Sequence, residues 1–442
     1  MSMRIIEFQP ETGRCVNPQT GFWEKSEVKW MADFHFYPVS KGDYITCESS
    51  DYCYGIASYS AEIDDILIYT YCYQEEENWS CYRGDLNLNS LHSCKYMIPE
   101  DGWIRISIKR MDEAELTETD IDRAKAAVKL HCRNREYEKK ACFQSEIRET
   151  VNTVREKRTK NSLVFGLMTD SHYVINGGWE DTMANLREVH ESVGFDAMIH
   201  LGDLTDGRIP LRFTKEYVTR VLDDLRSLQI PVYLALGNHD ANYFKNNPDW
   251  MTEEEQRAFY LQGKKLWYYI DYEQYHLRCI FLHSFNHWET IRYGFPQEEV
   301  EWVKDVLSQT PAGMKVILFS HVPLLPEMHY WSKEIRNSEA LLKVLDTYVA
   351  QGGRILAYIH GHNHADQINC QHSFPIIAIG CAKCEVFKDQ QRYPQGAVAY
   401  DRKPGTASQE LWDVLVVDTD KEMLELIRFG AGEDRSICRE IR

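Results

Sequence analysis

From residue 170 onward, five short strings hold side chains that could do chemistry together: Asp170-Ser171-His172, Gly202-Asp203, Gly237-Asn238-His239-Asp240, Ser320-His321 and His360-Gly361-His362-Asn363-His364. They supply carboxylates, an amide and imidazoles, with no cysteine among them. Mixed oxygen and nitrogen donors suit Mn, Fe, Zn or Co rather than a thiolate-bound ion. One carboxylate with two oxygens can bridge two ions. Two ions about 3.5–4 Å apart clamp the attacking and leaving oxygens of an in-line displacement and acidify a bound water. Hydrolysis of a phosphate ester needs that combination.

The elements that must position these strings are legible around them. Apolar runs at 163–168, 197–201, 232–236, 316–319 and 355–359 each lead at once into one string. Runs of this kind suit strands buried on both faces by helices. Amphipathic stretches at 183–193, 215–228, 297–307 and 339–349 supply the helices, so the region is α/β. A closing hairpin is expected from 414–417 and 424–428 around the turn at 418–421. Ligands of open α/β sheets bind outside the carboxyl ends of the strands. Taken singly, a Gly-Asp pair is turn chemistry, and a lone His-x-His is more often structural. Five such strings in register with five strand ends describe one site.

In this order, DSH, GDLTDG, GNHD, SH and GHNH resemble the signature of the calcineurin-like metallophosphoesterases, over residues 170–364. The resemblance implies a four-layer α-β-β-α sandwich. It implies one metal site of Asp170, His172, Asp203 and His364 and a second of Asp203, Asn238, His321 and His362, with Asp203 bridging two divalent or trivalent ions of Mn, Fe or Zn. A metal-bridging hydroxide would attack, Asn238 and His239 would contact substrate, His239 would protonate the leaving oxygen, and Asp240 would orient His239. Purple acid phosphatases carry Tyr where this chain has Asp206 and lack the His of D-x-H, here His172, which argues against a Tyr–Fe(III) site. Asp206 is read as a loop or supporting residue. His200 and His360 are expected to pack behind the site, while His283 and His287 are candidates to approach the cleft. The string Arg428-Phe429-Gly430-Ala431-Gly432-Glu433-Asp434-Arg435, with a β-rich N-terminal region, is similar to bacterial members that carry an accessory domain.

That region, 1–112, reads as an all-β sandwich or jelly-roll domain with strands expected at 34–37, 44–47, 66–73 and 103–109. Residues 113–160 read as a helical connector, and 161–442 as the α/β domain. In the connector, Thr117 or Thr119 caps a helix through 122–130, and Phe143, Ile147, Val151 and Val154 mark one face of a second. Loops at 241–266, 284–295, 324–337 and 382–409 are long for plain connections and carry Tyr243, Phe244, Trp250, Trp288, Tyr330, Trp331 and Tyr393, where substrate selectivity is expected.

The 442 residues are 43% hydrophobic and 27% charged, an ordinary globular balance. There is no apolar run of membrane-spanning length, and the first residues lack a secretory pattern, so a cytoplasmic protein without membrane association is expected. A formal charge of -18 argues against a nucleic-acid partner, and with it against the double-strand-break nucleases that share the ligand set. The 13 cysteines are read as reduced thiols, with Cys381 and Cys384 as buried or loop thiols rather than a zinc site. The leading expectation is a two-metal hydrolase of a phosphate mono- or diester, small-molecule or polymeric. The alternatives are a noncatalytic binding scaffold on the same fold, or a glycan-binding protein with secondary phosphoesterase activity. Trp23, Trp30 and Tyr73 are the residues for such a glycan face, although core packing explains them better.

Overall fold

A computed structural model describes residues 3–60, 82–85, 91–133, 140–175, 177–243, 247–385 and 389–438. The expected strand at 66–73, with Tyr73, and Phe244 lie outside them. The chain divides into two units, Met1–Glu138 with Val174–Gly177, and Lys139–Tyr173 with Gly178–Arg442.

In the first unit the strand Gly102–Arg110 is central. It pairs antiparallel with Tyr52–Tyr59 on one side and with Trp30–Asp33 and Tyr37–Val39 on the other. A second sheet runs Met3–Glu7, Val128–Arg133, Tyr44–Cys47, Tyr96–Met97. Ile104, Ile106 and Ile108 pack with Ile45 and Leu130 of that second sheet, which makes the expected β-sandwich core. The alternate residues Arg105 and Ser107 look like a solvated face in sequence, yet both are fully buried. The hairpin of Arg14–Val16 and Trp23–Lys25 accounts for this: Val16 N–H donates to Ser107 Oγ at 2.9 Å. Arg105 donates to the Phe34 carbonyl and lies 4.0 Å from the Phe36 ring centroid. Trp23 is buried and donates to the Ala32 carbonyl at 3.2 Å, so it is a core residue.

The helix expected over 122–130 spans Glu118–Ala127. Asp120 accepts from Thr117 N–H at 2.8 Å and fixes its start. It stops early because Val128–Arg133 buries alternate residues and joins the second sheet as a strand.

Among the described residues, the second unit holds two six-stranded mixed sheets. One has the order Val232–Leu234, Ala197–His200, Ser162–Met168, Leu411–Asp418, Met423–Gly430, Arg435–Cys438. The other has the order Tyr268–Tyr272, Leu277–Phe281, Lys315–Phe319, Arg354–His360, Ile376–Ala378, Gln367–Asn369. Residues of period two meet between the sheets: Leu163, Phe165 and Leu167 from one, Ile317, Phe319, Ala357 and Ile359 from the other. The remaining positions face outward to helices. Val316, Leu318 and Tyr358 pack on Val300, Val303, Leu341 and Leu345 of the helices Gln297–Ser308 and Ser338–Ala350. On the other sheet, the helix Gln144–Lys157 packs on Leu411–Asp418, Met423–Gly430 and the helix Trp179–Val193, burying Ile147, Val151 and Val154 as its sequence predicts. The result is the expected four-layer α-β-β-α arrangement. The closing hairpin is present with Asp418 opposite Met423. The loop at 241–266 contains a helix, Glu253–Leu261, started by a Thr252/Glu255 capping box. Among the described residues, no helix is long and apolar enough to cross a membrane.

Candidate metal centre

The parallel strands Ser162–Met168, Ala197–His200 and Val232–Leu234 end beside one another, as do Lys315–Phe319 and Arg354–His360 in the other sheet. Beyond these ends the backbone takes an uncommon form. Asp170, His172, Asp203, His362 and His364 all have positive φ, of 52°, 37°, 55°, 70° and 53°. Such conformations cost on the order of 1–3 kcal/mol each and persist only where the surroundings over-determine them. Here a lattice of bonds does so. Asp170 N–H donates to Gly202 O at 2.9 Å and His172 N–H to Asp203 O at 2.9 Å. His362 N–H donates to Asp170 Oδ2 at 2.9 Å, and His239 N–H to Asp203 Oδ1 at 2.8 Å. The loops approach so closely that a Cβ at Gly237 would strike the Asp203 carboxylate, and one at Gly361 would strike Thr169 Oγ1.

These turns bring the sequence-predicted residues together in two adjoining clusters. Asp170, His172 and His364 form one group of donor atoms, and Asp203, His321 and His362 another, each within 4.8 Å internally. In the first, His364 Nε2 lies 3.3 Å from Asp170 Oδ1, and His172 Nε2 lies 3.6 Å from the same oxygen. In the second, His321 Nε2 lies 3.2 Å from both Asp203 Oδ2 and Asn238 Oδ1. Asp203 Oδ2 is also 3.8 Å from His172 Nε2, so this carboxylate stands between the clusters.

The donor set fits metal ions for a specific reason. His172 Nε2 faces His364 Nε2 at 3.1 Å, and His321 Nε2 faces His362 Nδ1 at 3.0 Å. Three of the four outer nitrogens lie near oxygens, whereas His362 Nε2 is buried without a hydrogen-bond partner. His321 Nδ1 is 2.8 Å from the Leu201 carbonyl, His172 Nδ1 is 3.1 Å from Asp206 and His364 Nδ1 is 3.1 Å from Glu385. A neutral imidazole that donates outward turns a lone pair inward. His172 and His364, each with a carboxylate oxygen beside its outer nitrogen, turn facing nitrogens inward at 3.1 Å, where a metal ion or a proton must stand between them. Asp170 Oδ1, fully buried and without a hydrogen-bond partner, points to the same need.

The electrostatics agree. Burial opposes ionisation of Asp203, but the charges of His321 and His239 outweigh it and hold the carboxyl down to about 2. Burial also opposes the charged form of His172 and His321. The carboxylates beside them, Asp170 and Asp206 for His172 and Asp203 and Asp170 for His321, nevertheless raise the two rings to about 10 and about 9. The carboxylates of the site thus favour positive charge on and between these rings.

His239 lies at the rim, 9% exposed, with Asn238 at 7%. Its Nδ1 is held by the Asp206 carbonyl. The expectation that Asp240 orients His239 is corrected by the geometry of its carboxylate. This accepts backbone N–H groups from Gly237 at 2.7 Å, Asp203 at 2.8 Å and Leu204 at 2.9 Å, pinning two ligand loops together. Burial and the Asp203 charge push Asp240 up to about 7. His200 is buried, accepts Gly202 N–H at 3.1 Å and meets Ser171 Oγ at 2.9 Å; burial pushes it down to about 3. His360 is buried against the Gly361 carbonyl. His283 is buried, with its backbone N–H on Glu299, and His287 stacks on Tyr243.

Sequence reasoning missed several residues. Tyr293 and His329 pack on the His362 ring, each at 5.0 Å between centroids. Lys383 Nζ, on a buried side chain, lies 3.4 Å from Asp206 and 3.2 Å from Glu385. Cys381 is buried and groups with His364 and Glu385, while Cys384 is half-buried. Among the described residues the cysteines form no disulfide. The Arg428–Arg435 string also acquires a role. Arg428 Nη2 donates to Asp366 Oδ2 at 2.8 Å and Nε to Asp413 Oδ1 at 3.0 Å, while Arg435 lies 2.8 Å from Asp366, two residues past His364.

A two-sheet sandwich with paired His/Asp clusters at its strand ends supports a metal-dependent hydrolase mechanism. The family model of the calcineurin-like phosphoesterases matches residues 163–366, and the fold of this region is that of the calcineurin-like metallophosphoesterase superfamily. At that level the chain has the catalytic potential of a metal-dependent phosphoesterase. It is similar to the crystal structure of a dimetal phosphatase from Danio rerio, at 16% identity and a TM-score of 0.49, covering 63% of this chain and 99% of that one. It is also similar to the inner membrane complex anchor of Plasmodium, at 12% identity and a TM-score of 0.40, covering 64% and 90%. A third similar structure is the phosphopantetheinyl hydrolase from Mycobacterium tuberculosis, at 12% identity and a TM-score of 0.34, covering 50% and 91%. No curated protein sequence matches the chain.

Proposed function

We propose that this protein hydrolyses a phosphate mono- or diester with two transition-metal ions. Asp170, His172, Asp203 and His364 would hold one ion, and Asp203, Asn238, His321 and His362 the other. The carrying observation is the pair of facing imidazole nitrogens, at 3.1 and 3.0 Å, one pair in each cluster. Bound ions of Mn, Fe or Zn would supply an activated water and charge for the phosphoryl oxygens. The chain's own residues do the rest. Asp203 joins the two halves, and Asn238 and His239 at the rim meet the substrate. His239 gives a proton to the leaving oxygen. Burial pushes its imidazole down to about 4, so it is neutral at pH 7 until an anion arrives beside it. A phosphate anion beside the ring raises it again and so favours the protonated form that the next step uses.

The aromatic loops support selectivity for the organic part of the ester. Tyr243, Trp250, His287 and Trp288 form a ring cluster after the GNHD string, and Tyr330, Trp331 and Tyr393 form another beside Asn363. We read residues 1–112 as an accessory domain of this hydrolase, and the protein as cytosolic with reduced thiols.

The test is elemental analysis of the purified chain together with hydrolysis of aryl phosphomonoesters and bis-aryl phosphodiesters in added Mn. Two ions per chain and turnover of either ester are expected. A metal-replete protein inert to both would overturn the reading.

A further inference from the structure

The segment 380–385 lies outside the matched signature, yet it is fastened to the site on several sides. Gly380 N–H donates to Asp366 Oδ1 at 2.8 Å, Ala382 N–H to Thr169 O at 2.9 Å and Lys383 N–H to Asp170 O at 3.2 Å. The Arg402 guanidinium donates to the carbonyls of Cys381 at 2.7 Å, Ala382 at 3.0 Å and Lys383. A planar five-donor group spread over three successive carbonyls leaves the loop one conformation. Anchoring of this extent calls for something to be delivered, and the loop delivers Lys383 and Glu385.

Lys383 is 4% exposed, and its ammonium sits between two carboxylates. Asp206 faces it with Oδ2 and faces His172 Nδ1 with Oδ1, at 3.1 Å. Glu385 faces it with Oε2 and faces His364 Nδ1 with Oε1, at 3.1 Å. The chain His172, Asp206, Lys383, Glu385, His364 thus runs behind the first cluster, and the two rings at its ends face each other at 3.1 Å. A carboxylate on the outer nitrogen of a ligating histidine fixes its tautomer and rotation. Two such carboxylates on one side of a buried site repel each other unless a cation stands between them.

We infer that Lys383 is a positioning residue for the metal centre: by bridging Asp206 and Glu385 it holds His172 and His364 with their Nε2 atoms turned to one shared ion. This rests on the metal-centre reading above. It predicts a selective effect, because the second cluster has no share in this bridge: His321 is held by a backbone carbonyl.

The experiment is calorimetric titration of the metal-stripped full chain with Mn2+ or Zn2+, with metal content by elemental analysis. It compares wild type, Lys383→Met, Lys383→Arg, Glu385→Gln and the exposed control Lys403→Met. Wild type and control should bind two ions. Lys383→Met and Glu385→Gln should keep one affinity unchanged and lose roughly 10–100-fold in the other, and Lys383→Arg should recover part of the loss. Wild-type affinities for both ions in Lys383→Met would overturn the inference. So would an equal fall in both affinities with a lowered metal-free melting temperature, or an Lys383→Arg variant no better than Lys383→Met. A wild type that binds no ion overturns the metal-centre reading and this inference together, whereas two ions in wild type with unaffected variants overturn the inference alone.

Discussion

The two clusters hold the same kinds of donor but are backed by different chemistry. Behind Asp170, His172 and His364 stand two carboxylates and a buried ammonium. Behind Asp203, His321 and His362 stand a backbone carbonyl and the rings of Tyr293 and His329. A charged backing raises the basicity of its histidines and can be removed by changing one side chain. A carbonyl backing belongs to the strand end and cannot be removed without the fold. The difference teaches that one half of the centre is tunable and the other is built into the sheet.

The strongest way to break this comparison is through the residue common to both halves. Asp203→Ala should lose both ions and all measurable turnover, read by elemental analysis and ester hydrolysis. A variant that kept one ion tightly would show that the halves are independent. Next, His239→Ala should keep both ions and lose on the order of 10²–10⁴-fold in kcat, since its side chain belongs to neither backing. Equal metal loss in the two variants would end the division of roles. Asp206→Asn should sharpen the contrast, weakening one ion by about 10–100-fold, whereas Tyr293→Phe should leave both affinities nearly unchanged. The smallest effect is the pH dependence. His172 and His321 are raised above the usual imidazole value, so in the metal-free protein each holds a proton at pH 7 that an ion must displace. Affinity should therefore rise with pH, about tenfold per unit for each proton released. It should level off near pH 9 in the half with His321 and at higher pH in the half that holds both His172 and His364, whose rings are each raised, against the opposing effect of burial, by neighbouring groups that include the Asp170 carboxylate. Titration in buffers of different ionisation heat checks the proton count.

The sequence made the second unit's strand ends legible because each apolar run and its polar string are contiguous. Periodicity also placed the helix faces, such as Ile147, Val151 and Val154. The rest depended on non-local packing. Val128–Arg133 alternates like a strand, but it sits next to a helical pattern and its partners lie some eighty or more residues upstream. Arg105 and Ser107 have the period of a solvated face, and only non-local packing buries them, Ser107 under the hairpin of Arg14–Val16 and Trp23–Lys25 and Arg105 against Phe34 and Phe36. Lys383 reads as an ordinary surface lysine, since nothing local shows that Arg402, Asp366 and Thr169 fasten its loop inward. For Asp240, adjacency in sequence identifies the loop but not the partner. Its carboxylate follows His239 directly, yet its oxygens point at the backbone N–H groups of Gly237, Asp203 and Leu204.

The left-handed backbone at Asp170, His172, Asp203, His362 and His364 has a thermodynamic consequence. The lattice that enforces it consists of the chain's own hydrogen bonds, so a protein stripped of metal should keep these turns. Metal uptake then needs little ordering of the polypeptide. Its heat-capacity change should be small, and amide exchange in these loops should be slow with or without metal. Stripping the metal should leave a folded protein that reloads without refolding.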